Sequence, residues 1–254
     1  MEVYSKKLVD TAVLAGQIML ECNAESYRVE DTMNFILKSS SFKTCEAYAM
    51  ATGVFVTLDD PTIKNITIIK RVKTRRINLS KISEVNAVSR QIISGEIDVY
   101  TAYDKLESLQ AKDSDTLIKN IALMVMCGSF AALFGGGPAE ILVSFVISGI
   151  LPIVNILDSK IDLGSFIKNV LSLIPMVFLI MLSKKYFLLD LNEGLSIIGV
   201  IMPLVPGTAI TNAIRDTFQG DYNSGAARML EAFVIALSVS IGVALGLLLS
   251  GGII

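Results

Sequence analysis

Between Pro203 and Asp216 the chain gathers groups that apolar segments rarely carry together. Two prolines three apart, Pro203 and Pro206, are followed by Gly207, Thr208, Thr211, Asn212, Arg215 and Asp216. Each proline lacks a backbone donor and clashes with a preceding carbonyl, so a helix through this point must kink or unwind. In lipid the freed backbone groups then need partners from protein or water. Unwound backbone, with the Thr208, Thr211 and Asn212 side chains, suits a carboxylate or a hydroxyl. Arg215 suits a carboxylate, and Asp216 an ammonium group or a proton. The expectation is a polar path for small charged solutes, with Glu231 as a coupling carboxylate at the start of the next apolar segment. A plainer reading stands beside it. Prolines also kink transmembrane helices without touching a ligand, Arg215 with Asp216 is then a solvated pair at a helix end, and Glu231 an interfacial helix-start residue.

Other chemistries are excluded by what is missing. The chain of 254 residues has no histidine, which removes imidazole metal ligands, Ser/His/Asp triads and histidine proton relays. Gly135, Gly136 and Gly137 lack the lysine of a phosphate loop. Cys22, Cys45 and Cys127 are irregularly spaced and indicate neither a disulfide framework nor a zinc site. No catalytic residue, metal or cofactor is expected. The basic cluster Lys70, Arg71, Lys73, Arg75 and Arg76 reads as a solvated strand end facing anionic headgroups. With a net charge of −2 and no interleaved aromatics, nucleic acid is not an expected partner.

The elements that must position these groups are mostly apolar. Five blocks, Leu117 to Phe134, Ile141 to Leu157, Phe166 to Leu182, Leu195 to Ile214 and Ala232 to Leu249, approach the ~17 to 25 residues that cross a bilayer core. Charges such as Glu140, Asp158, Lys160, Asp162, Lys184, Lys185, Asp190 and Glu193 fall between the blocks. No amphipathic helix separates them, which disfavours a soluble bundle. Asn155 and Asp158 close the second block and are weaker candidates for a polar path. With a cytoplasmic N-terminus, the inner loops carry Lys160, Lys168, Arg215 and Arg228, and the outer loops only Lys184 and Lys185. That bias predicts a multi-pass protein of the inner (plasma) membrane with its C-terminus outside.

The first 115 residues carry no secretory signal and read as a cytoplasmic α+β domain. Leu8, Ala12, Ala15 and Met19, then Val29, Met33 and Ile36, recur at helical spacing on either side of Cys22, Asn23 and Ala24. Runs at Glu46 to Ala51, Val54 to Leu58 and Ile63 to Ile69 predict a small antiparallel sheet, with a turn at Asp59, Asp60, Pro61 and Thr62. Ser80 is placed to cap a helix with the stripe Ile82, Val85, Val88 and Ile92, ending at Gly95. Asp98 opens another through Tyr103, Leu106 and Leu109, and Gln110 to Asp115 reads as a linker. The predicted fold is thus a membrane protein with a cytoplasmic α+β domain over residues 1–115 and an all-α bundle of five transmembrane helices over 116–254. Glu25, Arg28 and Glu30 sit near the start of the second helix. They read either as a helix start with a local ion pair or as a cytoplasmic gate or docking surface.

Several of these runs resemble one family. They are Leu14-Ala15-Gly16-x2-Met19-Leu20, Ala24-Glu25-x2-Arg28-Val29-Glu30-x-Thr32-Met33, Thr52-Gly53-Val54-Phe55-Val56-Thr57-Leu58 and Asn78-Leu79-Ser80-Lys81-Ile82-Ser83-Glu84-Val85-Asn86, with Ser94-Gly95-Glu96-Ile97. Pro206-Gly207-Thr208-Ala209-Ile210-Thr211-Asn212-Ala213-Ile214-Arg215-Asp216 and Gly220-Asp221-Tyr222-x-Ser224-Gly225-Ala226-Ala227-Arg228 carry the likeness furthest. Together they resemble the threonine/serine exporter family, in particular the N-terminal, longer component of its two-chain form, which is also associated with dicarboxylate (succinate) export. Asn23 stands where relatives often have glycine and Ala51 where they often have proline. Asn is the residue best able after glycine to adopt a left-handed backbone.

The resemblance implies a secondary exporter of small hydrophilic metabolites, working in the lipid bilayer with a small five-span membrane partner or as a homo-oligomer. An odd set of helices with one polar break fits half of a pathway better than a whole one. The rival from another class is a membrane-anchored enzyme, with Glu25, Glu30 and Glu46 beside Thr52 or Thr57. No spacing marks those residues as acid/base and nucleophile.

Overall fold

The stripe Leu8, Ala12, Ala15 and Met19 is buried along α1 (Glu2–Glu21) in the computed structural model, which describes residues 1–40, 42–111, 116–161, 163–186 and 190–251. Residues 112–115 of the expected linker, with the boundary drawn at 115, lie outside the described residues, as does the loop charge Asp162. The chain divides into two compact units, Met1–Asp113 with Ala209–Met229, and Ser114–Thr208 with Leu230–Ile254.

In the first unit, α1 and α2 (Ser26–Lys38) pack one face of a three-stranded antiparallel sheet of β1 (Thr44–Met50), β2 (Gly53–Asp59) and β3 (Ile66–Arg71), in the order β1-β2-β3. Val54, Val56 and Leu58 alternate inward along β2 and join Leu8, Met19, Met33 and Ile36 in one core. The third strand starts later than its apolar run. Asp60 accepts from the Thr62 amide at 2.9 Å and the Lys43 amide at 3.0 Å, and Ile63 N–H bonds Asp60 O, so the turn absorbs the first residues of that run. Helix α3 (Leu79–Ile93) buries Ile82, Val85, Val88 and Ile92 and stops before Gly95, whose φ is +73°. Its cap is Asn78, not Ser80. Asn78 stands just before the helix and its side chain accepts from the Lys81 amide at 3.1 Å, whereas Ser80 already lies inside the first turn. Asp98 opens α4 (Val99–Ala111) by accepting from the Thr101 amide at 2.8 Å.

The second unit is helical, with an apolar core that includes Leu173, Met176, Ile180 and Val200 and with further apolar residues on its surface. Its helices are α5 (Thr116–Leu133), α6 (Pro138–Ile147), α7 (Ile150–Ile161), α8 (Gly164–Tyr186), α9 (Glu193–Ile201) and most of α11 (Tyr222–Ser250). Leu142, Val146, Ile153, Leu171 and Leu248 are exposed, while Ser144, Ser148, Ser172, Ser196 and Ser238 are buried. Ser144 Oγ donates to Ser196 O at 3.2 Å, and Asn169 Nδ2 to Ser238 Oγ at 3.0 Å. Apolar residues outside and hydrogen-bonded hydroxyls inside are the arrangement lipid favours. Among the described residues three apolar stretches are long enough to cross a membrane, Pro138–Ile161, Gly164–Tyr186 and Tyr222–Ser250. A bent pair, Glu193–Leu204 with Gly207–Phe218, makes a fourth if counted as one span, and Leu117–Leu133 is a shorter apolar helix.

Gly242 and Gly246 set how closely α11 meets α8. A Cβ on Gly246 would lie 2.7 Å from Val177 Cβ, and one on Gly242 2.8 Å from Leu173 Cβ. This small-xxx-small face lets the backbones touch. Gly246→Val therefore destabilises the unit by about 1–3 kcal/mol through overpacking. The check is the thermal midpoint of the purified protein in detergent, which falls; an unchanged midpoint contradicts the close approach.

Candidate functional site

The site is built around the turn from α1 to α2. Asn23 has φ +65°, its N–H bonds Leu20 O at 3.0 Å, and the Ala24 N–H bonds Met19 O at 3.0 Å. This is a Schellman ending with Asn in the left-handed position, and it leaves the Asn23 and Ala24 carbonyls free for other partners. Helix α2 then opens at Ser26 without a side-chain cap from its N-cap residue Glu25.

The cap comes from 190 residues away: Ser26 N donates to Asp216 Oδ1 at 3.1 Å and Ser26 Oγ to Oδ2 at 3.2 Å. Asp216 lies on α10 (Gly207–Phe218). A carboxylate at a helix N-terminus answers both the orphan amides and the helix dipole. Arg228 of α11 closes the arrangement. Its Nε lies 2.9 Å from Asp216 Oδ2, Nη1 donates to Asn23 Oδ1 at 3.0 Å and Nη2 to Ala24 O at 2.7 Å. The Arg228 side chain is 1% exposed and that of Asp216 0%. Asn212 Nδ2 adds a bond to Asn23 O at 3.0 Å.

A second ion pair lies nearer the surface. Arg215 Nη1 pairs with Glu25 Oε1, and Arg28 Nη1 reaches the other Glu25 oxygen at 3.3 Å. The Arg215 side chain is 61% exposed against 8% for Glu25. Burial raises the Glu25 pKa, but its own backbone amide, Arg215 and Arg28 outweigh that and leave it below the ordinary carboxylate value. Glu30 shifts the other way. Burial pushes it up, the Ala49 N–H partly counters, and Asp221, Asp31 and Asp216 add to the rise.

Glu30 also has a structural bond. Its Oε1 accepts from Ala49 N at 2.9 Å, Asn34 Oδ1 from Ala47 N at 3.2 Å and Ser224 Oγ from Ala51 N at 3.2 Å. Side chains thus cap alternate amides along the outer edge of β1 and just past its end, an edge that would otherwise invite strand pairing. Gly225 holds α11 against α10, since a Cβ there would sit 2.2 Å from Thr217 Oγ1.

Helix α10 is amphipathic in an unusual sense. Its buried face is Ala209, Asn212, Ala213 and Asp216, while Ile210, Ile214 and Phe218 are exposed. The polar side packs into the first unit and the apolar side is left outward. Among the anticipated path residues, Arg215 meets Glu25 and, through it, Arg28, while Asn212 meets Asn23, and Asp216 meets Ser26 and Arg228. Thr211 is exposed on the same helix, and Glu30 lies apart from the ion-pair network on the β1 edge. Pro203 falls in a short 3-10 turn (Met202–Leu204), and Pro206 precedes α10 at a bend of 49°. Pro203, Pro206, Gly207, Thr208 and Glu231 belong to the second unit. Sequence reasoning missed Arg228, Ser26 and Ser224 as members. The available signal was an arginine in the first turns of an otherwise apolar helix.

Two predictions follow from burial and charge. Asp216→Ala strands Arg228 as a buried cation and destabilises by about 3–5 kcal/mol, whereas Arg215→Ala costs about 0–1 kcal/mol as an exposed pair; denaturant melts of the two variants should differ accordingly. The carboxylates carry opposite pH signs. Glu25, lowered from 4.5, contributes stability above that value that is lost as pH falls through the lowered one. Glu30, raised from 4.5, lowers stability as pH rises from that value through the raised one. Glu25→Gln thus flattens the acid limb of a stability-pH curve, and Glu30→Gln, which keeps an acceptor for Ala49, raises stability above the Glu30 window.

The threonine/serine exporter family model matches residues 10–250. The chain is 25% identical to the "Threonine/serine exporter" of Corynebacterium glutamicum over 80% of this chain and 46% of that protein. It is 19% identical to the "Probable threonine/serine exporter" of Mycobacterium tuberculosis over 97% of this chain and 47% of that one, so it spans about half the length of these relatives. Against the "Probable succinate transporter subunit YjjP" of Escherichia coli it is 21% identical over 94% of this chain and 93% of the relative. No solved structure matches. With its several membrane-crossing helices, the chain is a multi-pass membrane protein that belongs to the threonine/serine exporter family.

Proposed function

We propose that this chain is a component of a secondary exporter for small hydrophilic metabolites, either threonine/serine-type amino acids or dicarboxylates, and that it works with a small five-span partner. In this reading residues 1–115 are cytoplasmic, five spans cross the inner (plasma) membrane and the C-terminus lies outside. Family membership supports the transport class, and near full-length alignment with a relative named a transporter subunit supports a second chain.

The observation that carries the reading is the Glu25–Arg215 pair. Asp216 is fixed by Arg228 and Ser26, so it positions α10; Arg215 is mostly in solvent and held by one carboxylate. A substrate carboxylate competes with Glu25 for Arg215, and a substrate ammonium competes with Arg215 for Glu25. Either exchange frees the α1–α2 turn from α10 at one of its contacts, which suits a gate. Thr208, Thr211 and Asn212, the proline break at Pro203 and Pro206, Gly207 and Glu231 supply the remaining polar path. The solute crosses without a bond being made or broken, and the driving force is the proton gradient or the solute's own.

Cells carrying the chain with and without a neighbouring five-span protein, preloaded through threonine dipeptides or with succinate, test the proposal. Efflux above background is expected with both proteins present, and Arg215→Ala lowers its initial rate about tenfold, the size of one lost charge-assisted bond. Background efflux of both solutes, or a wild-type rate in Arg215→Ala, overturns it.

A further inference from the structure

Helix α10 and the first turns of α11 form one tightly held hairpin within the first unit. Gly220 N–H bonds Thr217 O at 3.1 Å and Asp221 N–H bonds Asp216 O at 2.9 Å, with Gly220 at φ +89°. Asp221 Oδ1 then accepts from Ser224 N at 3.3 Å and so starts α11. The hairpin's inward side is committed to the protein, Asn212 to Asn23 and Asp216 to Ser26 and Arg228. Its outward side is apolar. Ile210, Ile214 and Phe218 recur four apart along α10, and Tyr222, Met229 and Phe233 follow one face of α11. All six are exposed, Phe218 by 84%.

We infer that the outward face of α10 lies in the plane of the membrane, at the boundary between headgroups and acyl chains, so that the first unit rests on lipid through this hairpin. The occupant follows from where the stripe leads. Tyr222–Ser250 is long and apolar enough to cross a membrane, and the exposed side that begins at Tyr222 and Met229 continues through Phe233 into that crossing. The crossing also has surplus length. Its 29 residues extend about 43 Å against a hydrocarbon core of about 30 Å. Arg228 and Glu231 both fall in its first three turns and no charged residue follows them before Ser250, so the surplus is at this end. The buried pair of Arg228 with Asp216 therefore stands at headgroup level, and α10, docked on it, stands there too. Depth is limited by the helix itself. With 12 residues α10 is about 18 Å long, too short to cross, and its inward face carries an ion pair. An amphipathic helix of this kind sinks its apolar face about 5–10 Å into the boundary. A soluble protein partner would have to cover the stripe on α10 while leaving its continuation on α11 to lipid. The inference concerns where α10 rests and stands whether or not the chain exports anything.

The chain contains no tryptophan, so one introduced indole reports a single site. Phe218→Trp and Ile214→Trp each replace an exposed side chain, so the fold is kept. The full chain carrying either change is reconstituted in vesicles of phosphatidylcholine brominated near the headgroup end of the acyl chain or near its methyl end. Leu237→Trp, on the exposed side of α11, is the deep reference. Both α10 variants are expected to lose most of their emission to the shallow bromine and little to the deep one, and to be shielded from aqueous iodide. Leu237→Trp shows the reverse depth order. Emission from α10 that neither lipid quenches overturns the assignment, whether iodide reaches it, as in water, or not, as beneath a second protein. Quenching strongest from the deep bromine overturns it as well, because α10 then enters the bilayer core.

Discussion

The first unit depends on one buried ion pair, Asp216 with Arg228, placed at the N-terminus of α2. Neither charge is reachable by water, so each would be intolerable alone. Together they leave no obvious vacancy: Asp216 satisfies Ser26 and the dipole of α2, and Arg228 satisfies Asn23 and Ala24 at the end of α1. A pair of this kind contributes little net stability compared with an apolar replacement. Its contribution is specificity, because it is satisfied when residues 209–229 dock at a turn that presents the Ser26 amide, the Ala24 carbonyl and the Asn23 side chain together. That explains how a segment so distant in sequence folds with the N-terminal residues.

The same constraint accounts for the reversed helix α10. Its small and polar residues face the protein because the partners for Asn212 and Asp216 are there, and Ile210, Ile214 and Phe218 are left on the other side. In water such a helix would be unfavourable; beside lipid it is not. The second unit follows the same solvent logic, with bonded serine hydroxyls among its buried residues and leucines and isoleucines exposed on its surface as well as packed in its core. What looks like a misplaced hydrophobic pattern is the ordinary pattern for a chain whose solvent is partly hydrocarbon.

Much of this was legible in the residues. The α1 and α2 stripes, the antiparallel strands, the α3 core face and the left-handed Asn23 all follow from periodicity and local backbone preference. The misses are instructive. The α3 cap lies two residues earlier than the serine suggested, because Asn78 takes the Lys81 amide and starts the helix before Ser80. The fourth apolar block is bent by 49° at its proline break, as its prolines require, but that the residues from Ala209 on group with the first unit is not written in the block. Hydropathy reports composition, and Ile210 and Ile214 score the same whether their helix crosses a bilayer or lies against a domain. The pairing of Asp216 with Ser26 is invisible for a different reason: no local rule links positions 190 apart.

Amide hydrogen exchange of the full chain in lipid nanodiscs, read at the start of α2 and across residues 209–229, is the most direct test of the central claim. If the Asp216–Arg228 pair joins these segments, both stay protected and open together, and Asp216→Asn releases both to a similar degree. Independent exchange, with the α2 start unprotected while 209–229 remains closed, would contradict it.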